Sequence, residues 1–205
     1  GLLRSDKGAV LAKGAQALLN TDQLKIRGEH NIANALAALA LGEAVRLPLD
    51  SMVQTLSQFG GLPHRCQWVR EHRAISWFND SKGTNVGATL AAINGLSATQ
   101  AGDAKLVLIA GGQSKGQSFA ELKQPLTSAA RAVILIGEDA QQIGAQMEHS
   151  NTQYAANMDE AVRLAASTAL AGDFVLLSPA CASFDMFSGY EARGDRFVEL
   201  VEALA

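Results

Sequence analysis

Three short segments of the sequence carry more charged, hydroxyl and amide side chains than a turn needs. They are NDSKGTN (79–85), GGQSKGQS (111–118) and SPACASFD (178–185). A strand-to-helix connection needs only a turn residue and an N-cap. Carboxylates, ammonium groups and hydroxyls that converge in one place instead bind small polar ligands and fix their orientation. We therefore interpret the three segments as parts of one ligand site.

The segment GGQSKGQS nearly matches the nucleotide phosphate-binding loop G-x-x-x-x-G-K-[ST]. Gly111, Gly116 and Ser118 are in register with that pattern, but Gln117 stands where the lysine belongs. The mismatch argues against a true nucleotide loop. A glycine-rich turn still offers backbone N–H groups, and together with Lys115 these suit an anion such as a carboxylate. The alternative is a flexible turn without a ligand.

The segment SPACASFD suggests a different chemistry, covalent catalysis by Cys181 or Ser183. The strained turn G-x-S-x-G is missing, however, and the segment contains no histidine that could act as a base. We predict that Cys181 is a small buried cysteine. Ser183 is interpreted as a hydroxyl donor near the start of the last helices.

Metal-binding patterns are missing from the sequence. The four histidines form no H-x-x-H or H-E-x-x-H group and the two cysteines lack metal-ligand spacing, so we assign no residue to a metal. Arg65 belongs to the segment GGLPHR (60–65). Its ordinary interpretation is a surface arginine, but an arginine at such a hinge can also bind phosphate through two hydrogen bonds.

Alternating strands and helices position the three polar segments. Short apolar runs bounded by turn residues predict five strands: RAISW (73–77), KLVLIA (105–110), AVILIG (132–137), QYAA (153–156) and DFVLLS (173–178). Helical patterns lie between them, and a last helix covers about 191–204. This alternation is typical of an α/β fold with a mostly parallel sheet and flanking helices. Ligands of such sheets bind at the carboxyl ends of the strands, where the three segments begin.

The first sixty residues follow a different pattern. They predict three hairpin strands and one long helix: GLLR (1–4), AVLA (9–12), ALLN (17–20) and HNIANALAALALGEAV (30–45). Asp50 is predicted to cap a short helix over 51–59. The two glycines and the proline of GGLPHR then break the pattern, so we place a domain boundary there. The chain also begins with glycine rather than methionine, and we expect a fragment.

Composition restricts the class of protein. Apolar residues make up 48% of the 205 residues, which is ample for a packed core and excludes wholesale disorder. The net charge of −3 and the lack of a strongly basic stretch argue against nucleic acid as a partner. The longest apolar runs have the length of strands, and we expect neither a membrane span nor a signal peptide. We therefore expect a cytoplasmic protein without a membrane partner. A monomer is a separate expectation that composition does not decide.

Five segments together resemble the last half of a Mur ligase. They are HNIANALAALAL, GLPHR, NDSKGTN, GGQSKG and SPACASFDMFSGYEARGDRF, and the resemblance runs from about Leu24 to the end of the chain. NDSKGTN is the discriminating segment, and it is similar to that of the family member that joins D-glutamate to UDP-N-acetylmuramoyl-L-alanine. The resemblance implies an ATP-dependent, amide-forming ligase of peptidoglycan synthesis, and so of cell-wall biogenesis, cell shape and cell division.

The resemblance also implies the domain organisation and the mechanism. Residues 1–61 would be the C-terminal end of the central ATP-binding domain. Residues 62–205 would be a complete Rossmann-like domain that binds D-glutamate and closes the ATP site. ATP would phosphorylate the substrate carboxylate and D-glutamate would attack the acyl phosphate, with Mg²⁺ held mostly by a part of the enzyme outside this chain. We therefore expect this fragment to be inactive alone.

The roles of individual residues follow from the resemblance. The implied ATP-binding residues are Asn31, Asn34, Arg65 and Asp80. The implied D-glutamate-binding residues are Thr84, Lys115, Ser183 and Tyr190. Asn31 and Asn34 are three residues apart, so one face of a helix presents both amides. Lys82 would lie near phosphate or the substrate anions, and Lys82 and Asp80 are the predicted catalytic residues.

Two other classes of function stay open. A non-catalytic nucleotide-binding module would share the fold, but it would not need polar side chains at three ligand-facing loops. A hydrolase would use Cys181 or Ser183 as its nucleophile. Nucleotide binding without an effect of D-glutamate would favour the first class, and stoichiometric labelling of one nucleophile would favour the second.

Overall fold

The computed structural model describes residues 1–5, 8–26, 29–98 and 102–205. They form two compact units, Gly1–Gly61 and Leu62–Ala205. The assignment of the first unit to an ATP-binding domain stays a prediction. The predicted turn between the first two strands contains Asp6 and Lys7, which lie outside the described residues. In the described part of the chain, no helix is long and apolar enough to cross a membrane.

A three-stranded antiparallel sheet and two helices make up the first unit. The elements are β1 (Leu2–Ser5), β2 (Gly8–Lys13), β3 (Gln16–Asn20), α1 (Glu29–Ala44) and α2 (Leu49–Gln58). The predicted hairpin strands and the long helix are therefore confirmed. Buried side chains from both layers form one core: Leu11, Leu19, Leu24, Ala35, Leu39 and Leu56.

The predicted cap of α2 by Asp50 is wrong. The helix begins at Leu49, and its N-cap is Pro48, which has φ −61° and ψ 125° and makes no side-chain cap hydrogen bond. The proline ring fixes φ near the helical value, so the chain enters the helix there without a side-chain acceptor. Asp50 instead lies in the first turn, where its negative charge interacts favourably with the helix dipole.

A six-stranded sheet forms the middle layer of the second unit. Its strands are β4 (Gln67–His72), β5 (Ile75–Asn79), β6 (Leu106–Gly111), β7 (Ala130–Ile136), β8 (Thr152–Tyr154) and β9 (Phe174–Leu177). In space their order is β4-β5-β9-β6-β7-β8. The strands from β5 to β9 are parallel, and β4 pairs antiparallel with β5 at one edge. The predicted mostly parallel sheet is confirmed.

Strand β4 is not among the predicted strands. It contains Arg70, Glu71 and His72, and none of its residues is fully buried. An edge strand needs no continuous apolar run, because one side of it faces solvent. The turn to β5 places Arg73 and Ala74 at positive φ of 53° and 57°, without the glycine or asparagine that usually marks such a turn. The pattern of apolar residues therefore predicts neither the half-exposed strand β4 nor the turn that follows it.

Helices cover both faces of the six-stranded sheet. They are α3 (Val86–Ser97), α4 (Lys123–Ala129), α5 (Ala140–Met147), α6 (Met158–Thr168) and α7 (Tyr190–Glu202). The first three pack on one face, and α6 and α7 pack on the other. Alternate residues of β6 serve the two layers, since Leu106 and Leu108 contact the first and Val107 and Ile109 the second. The strand is apolar throughout because both of its faces are buried.

One predicted helix is interrupted. The pattern FAELKQPLTSAA (119–130) predicts a single helix, but a 3₁₀ turn at Ala120–Leu122 precedes a short α4. Pro125 has no backbone N–H, so an α-helix tolerates it only in the first turn. The α-helix accordingly begins at Lys123, two residues before the proline.

The strand order places the three polar segments side by side. Strand β9 comes last in the chain, yet it lies between β5 and β6. The loops after β5, β6 and β9 are therefore neighbours at the carboxyl edge of the sheet. This is the edge at which ligands of open α/β sheets bind, next to the point where the strand order reverses.

Candidate functional site

A cavity of about 230 Å³ opens at the carboxyl edge of the six-stranded sheet. Residues of the three loops and the first residue of α7 line it: Lys82, Thr84, Gln113, Lys115, Gln117, Ala182, Ser183, Phe184 and Tyr190. The structure thus brings together five of the predicted site residues, Lys82, Thr84, Lys115, Ser183 and Tyr190. Arg65 and Asp80 are not part of this lining. Asn31 and Asn34 belong to the first unit.

Buried Asn79 fixes the start of the loop after β5. Its Oδ1 accepts a hydrogen bond from the backbone N–H of Ser81 at 3.1 Å, and its Nδ2 donates to the carbonyl of Gly194 in α7 at 3.2 Å. The backbone N–H of Lys82 donates to the carbonyl of His64 at 2.9 Å. The loop that carries Lys82 and Thr84 is therefore held from two sides.

The carboxylate of Asp80 is buried and already hydrogen-bonded inside the protein. Oδ1 accepts from the backbone N–H of Cys66 at 3.1 Å, and Oδ2 accepts from the hydroxyl of Ser178 at 2.7 Å. Burial raises the pKa of Asp80 to about 6, although these hydrogen bonds and the nearby charge of Arg65 act in the opposite direction. Asp80 therefore ties the loops after β5 and β9 together.

Lys82 and Tyr190 meet at the mouth of the cavity. The Nζ of Lys82 lies 4.1 Å from the centroid of the Tyr190 ring, a cation–π contact. A hydrogen bond with Glu191 raises the pKa of Tyr190, and the same bond lowers the pKa of Glu191. The aromatic ring thus supports the Lys82 ammonium at the edge of the cavity.

The glycine-rich loop after β6 approaches its neighbours too closely for side chains. Gly111 and Gly112 have φ of +115° and +127°. A Cβ at Gly111 would overlap the carbonyl oxygen of Ile136, and one at Gly112 would overlap that of Ala182. Two backbone hydrogen bonds of 3.1 Å between Gln113 and Ala182 then join this loop to the loop after β9. Glycine is needed here for the close approach of backbones.

Gln117, which replaces the lysine of the nucleotide loop, has a structural role. Its Nε2 donates to the carbonyl of Ala180, and its Oε1 accepts from the backbone N–H of Val86 at 3.2 Å. One side chain thus links the loop after β6 to the loop after β9 and to the start of α3. A lysine, which has no acceptor, could not make both bonds.

Lys115 lies at the tip of the loop after β6 with a left-handed backbone, φ 52°. Its Nζ is 5.9 Å from the centroid of the exposed Phe184 ring on the opposite wall of the cavity. Asp139 holds the loop by accepting from the backbone N–H of Ser114 at 2.7 Å. The cation therefore stands on a fixed loop at the cavity.

The loop after β9 supplies a buried thiol and a buried hydroxyl. Cys181 is fully buried, and burial raises the pKa of its thiol to about 12, so the thiolate needed for nucleophilic attack is scarce at neutral pH. The prediction of a small buried cysteine is confirmed. Ser183 is 2% exposed and lines the cavity. Among the described residues, no hydrogen bond joins it to a histidine, which weakens the hydrolase interpretation.

The sequence analysis missed Arg193, which is 1% exposed. Its Nε donates to the hydroxyl of Ser81 at 3.0 Å, one Nη donates to the carbonyl of Ser81 at 2.9 Å, and both Nη atoms lie 3.2 Å from the carbonyl oxygen of Cys181. A signal was available in the sequence. Arg193, Phe197 and Val201 recur at intervals of four residues, which places an arginine on the buried face of α7.

Arg65 lies within a strained turn. His64 and Cys66 both have positive φ, 60° and 44°. The His64 ring packs edge-on against Tyr190 at 6.0 Å, and its Nδ1 lies 3.0 Å from the Nδ2 of Asn79. The residues on both sides of Arg65 are therefore held in place, His64 by its contact with Asn79 and Cys66 by its hydrogen bond to Asp80.

Asn31 and Asn34 lie on one face of α1 in the first unit. The Nδ2 of Asn34 donates to the Oδ1 of Asn31 at 3.4 Å. The two amides are thus neighbours on the helix, and their role at the adenine stays a prediction.

The cavity combines cations and hydroxyls in a small volume. Lys82, Lys115, Thr84 and Ser183 line about 230 Å³, which is below the usual range for drug-sized ligands. Among the residues the structure describes, neither lysine forms an ion pair. The arrangement can therefore bind and orient a small anion with more than one negative charge.

The fold and this site define a ligase family. The family model described as Mur ligase, glutamate ligase domain, matches residues 64–181, and the chain belongs to this family. Two relatives are UDP-N-acetylmuramoylalanine–D-glutamate ligases, from Acinetobacter baylyi and from Pseudomonas aeruginosa. Each is 53% identical over 100% of this chain, and the match covers 46% of the relative. The chain thus spans about half the length of these relatives.

Solved structures show the same fold. The UDP-N-acetylmuramate-alanine ligase from Thermotoga maritima has a TM-score of 0.66 at 18% identity, covering 95% of this chain and 43% of that one. The bifunctional folylpolyglutamate synthase/dihydrofolate synthase from Yersinia pestis, complexed with AMPPNP and Mn ion, has a TM-score of 0.70 at 20% identity. That match covers 98% of this chain and 45% of the other.

Proposed function

We propose that this chain is part of an ATP-dependent ligase that joins D-glutamate to UDP-N-acetylmuramoyl-L-alanine in peptidoglycan synthesis. The observation that carries the proposal is the cavity lined by Lys82, Lys115, Thr84 and Ser183. The activity for which the two relatives are named supports the choice of substrates, because the 53% identity extends over the whole chain. A cytoplasmic monomer remains part of the proposal, and light scattering of the purified protein would measure its oligomeric state.

D-Glutamate carries two carboxylates, and the cavity offers the Lys115 ammonium and the hydroxyls of Thr84 and Ser183 as partners for them. Lys115 would bind one carboxylate together with Thr84, and Ser183 with the backbone near Tyr190 would bind the other. A hydrogen bond to a charged group contributes about 1.5–3 kcal/mol. The groups that line the cavity would therefore fix both carboxylates of the amino acid and leave its amine free to react.

The amide would form in two steps. A carboxylate oxygen of the UDP-linked alanine attacks the γ-phosphorus of ATP, which gives an acyl phosphate and ADP. The amine of D-glutamate then attacks the acyl carbon, the C–O bond to phosphate breaks, and the nitrogen loses a proton. Lys82 would stabilise the negative charge on phosphoryl or carboxylate oxygens near the cavity mouth.

The roles in nucleotide binding come from the family resemblance alone. Arg65 would contact phosphate and Asp80 the ribose hydroxyls, and Asn31 and Asn34 would contact the adenine. Mg²⁺, when bound to the phosphates, neutralises their charge. The described residues contain no group of three or more His, Cys, Asp or Glu side chains that could hold a metal, so we assign Mg²⁺ no ligand here.

The test is the substitution Lys115→Ala in the full-length protein. We expect the Michaelis constant for D-glutamate to rise at least about tenfold, because each 1.4 kcal/mol corresponds to a factor of ten. The constant for ATP should change much less, since Lys115 lies on a different loop from Asp80 and Arg65. Thr84→Ala and Ser183→Ala should act in the same direction but more weakly, because each removes a neutral donor.

Lys123→Ala is the matched control. Lys123 is exposed, forms an ion pair with Glu148 at 2.7 Å, and lies outside the cavity lining. Both Michaelis constants should be unchanged in this variant. Equal losses for D-glutamate and ATP in Lys115→Ala would mean that the lysine serves domain closure instead. No change in either constant would remove Lys115 from the site.

A further inference from the structure

We propose that Arg193 is a positioning residue that sets the distance between two of the three loops that line the cavity. They are the loop Ser81–Thr84 after β5 and the loop Cys181–Ser183 after β9. The kinetic part of this inference rests on the proposed function. The structural part does not, because it concerns contacts within the second unit only.

The guanidinium group joins the two loops directly. It donates to the hydroxyl and the carbonyl of Ser81 on one side and to the carbonyl of Cys181 on the other, at 2.9–3.2 Å. Ser81 is adjacent to Lys82, and Cys181 is two residues before Ser183. The planar guanidinium holds its five N–H donors in a rigid fork, so bonds to both loops fix their separation.

The same group also anchors the start of α7. The hydroxyl of Ser81 accepts from Arg193 and donates to the carbonyl of Tyr190 at 2.8 Å. Tyr190 in turn lines the cavity and supports Lys82. The loops after β5 and β9 and the start of α7 are therefore linked through one buried side chain and the hydroxyl of Ser81.

Stability alone does not account for an arginine at this place. Arg193 is 1% exposed, and burial lowers its pKa to about 10, which leaves it charged at neutral pH. Within the described residues it forms no ion pair, and its acceptors are a hydroxyl and carbonyls. A buried charge is costly, and an apolar side chain would suit the stripe that Phe197 and Val201 continue. The role that the contacts support is the geometry that the arginine imposes on the two loops.

Kinetics of the full-length protein test the inference on substrate binding. In Arg193→Lys, one ammonium cannot reach both loops, so we expect the Michaelis constant for D-glutamate to rise at least about tenfold, a loss of about 1.4 kcal/mol. The constant for ATP and kcat should change less than this. Ser81→Ala removes only the hydroxyl contacts and should raise the same constant by a smaller factor. This milder variant decides the question if Arg193→Lys does not fold.

Arg196→Lys is the matched control on the same helix. Arg196 is exposed and pairs with Asp159 and Glu199 at 2.6 and 3.1 Å, away from the cavity. We expect it to leave both Michaelis constants unchanged. If Arg193→Lys and Ser81→Ala fold and bind D-glutamate like the wild type, the inference is overturned.

Hydrogen exchange of the 205-residue chain gives a readout that does not depend on the proposed function. In Arg193→Lys, the amides of Lys82 and Ala182, which donate to His64 and Gln113, should exchange at least about tenfold faster. The amide of Val133 in β7 should not change, since its bond to Asn151 lies in another part of the sheet. Unchanged exchange at both loops would refute the positioning role. Faster exchange at the loops would support it even in a protein without D-glutamate ligase activity.

Discussion

The carboxylate of Asp80 makes the folding stability of the protein depend on pH. Its oxygens accept from Cys66 at the strained turn and from Ser178 on the neighbouring strand end. Because burial raises its pKa to about 6 from the ordinary 3.8, the folded protein holds a proton at pH values where the unfolded chain has lost it. Folding therefore becomes less favourable as the pH rises through this window, and it stays constant above it.

The variant Asp80→Asn should remove this pH dependence. The wild type should lose up to about 3 kcal/mol of unfolding free energy relative to the variant between pH 4 and pH 7, since one pKa unit corresponds to 1.36 kcal/mol. Urea unfolding followed by tryptophan fluorescence measures this, because both tryptophans, Trp68 and Trp77, belong to the second unit.

Asp159→Asn is the control for the pH series, because Asp159 is an exposed aspartate of the second unit. The difference in unfolding free energy between Asp159→Asn and the wild type should vary little between pH 4 and pH 7. If the unfolding free energy of Asp80→Asn differs from that of the wild type by the same amount at every pH, as in the control, the raised pKa of Asp80 is refuted.

Five of the nine residues that line the cavity could be predicted from the sequence, but Arg193, which holds two of its loops, could not be assigned a partner. Lys82, Thr84, Lys115 and Ser183 stand out because each follows a predicted strand and has no packing role. The partners of Arg193 in the loop after β5 are 112 residues away along the chain, and Asn79 and Gly194 are 115 residues apart. Such contacts depend on the order of strands in the sheet, which no local pattern contains.

The amino edge of the sheet is built for stability, in contrast to the carboxyl edge. Asp173 directly precedes β9 and is 1% exposed. Its carboxylate accepts two hydrogen bonds from Arg131 of β7, one from the backbone N–H of Lys105 before β6, and one from that of Leu170. Burial raises the pKa of Asp173, but the bond from Arg131 and those from the two amides outweigh it and lower the pKa overall. Three strands are thus joined at one buried carboxylate.

Removing this carboxylate should destabilise the second unit. Asp173→Ala leaves Arg131 and two backbone N–H groups without their acceptor, so we expect a loss of about 3 kcal/mol of unfolding free energy. Its contribution should also decrease on acidification, because a group with a lowered pKa stabilises fully above its unfolded pKa and loses that effect as the pH falls through its folded pKa. Urea unfolding at pH 7 and pH 3 measures both effects.

The exposed pair of Asp159 and Arg196 provides the comparison. Asp159→Ala should cost less than about 1 kcal/mol, as exposed ion pairs usually do. Equal losses for Asp173→Ala and Asp159→Ala would show that the buried carboxylate does not join the strands as described.

At the scale of elements, buried strands are predictable and edge or terminal features are not. Strands β6, β7 and β9 are continuous apolar runs because both of their faces are covered, and this signal is strong. Strand β4 is half-exposed and charged, so the same signal is missing. The sequence offers two signals for the start of α2, the capping preference of Asp50 and the fixed φ of Pro48. The helix begins after Pro48.

The two units of the molecule differ in the size of their cores. The second unit buries side chains on both faces of a six-stranded sheet, whereas the first has one small core beneath a three-stranded sheet. Small units bury a smaller fraction of their surface and are correspondingly less stable. We therefore expect residues 62–205 to fold alone and residues 1–61 to open more readily.

Hydrogen exchange and truncation measure this difference. In the whole chain, amides of the first unit should exchange faster than those of β6, β7 and β9. A protein of residues 62–205 should unfold, by tryptophan fluorescence, at the same urea concentration as the whole chain. Equal protection in both units, or a failure of residues 62–205 to fold, would contradict the expectation.

The most direct test of the central claim is the dependence of phosphate release on the amino acid. The full-length protein, ATP, Mg²⁺ and UDP-N-acetylmuramoyl-L-alanine are combined with D-glutamate or with L-glutamate, and phosphate and the UDP-linked product are measured together. We expect one phosphate per amide formed with D-glutamate and at least about a hundredfold less product with L-glutamate, because a site that fixes both carboxylates presents only one enantiomer's amine correctly. ATP binding without any effect of D-glutamate, or equal turnover of the two enantiomers, would contradict the account.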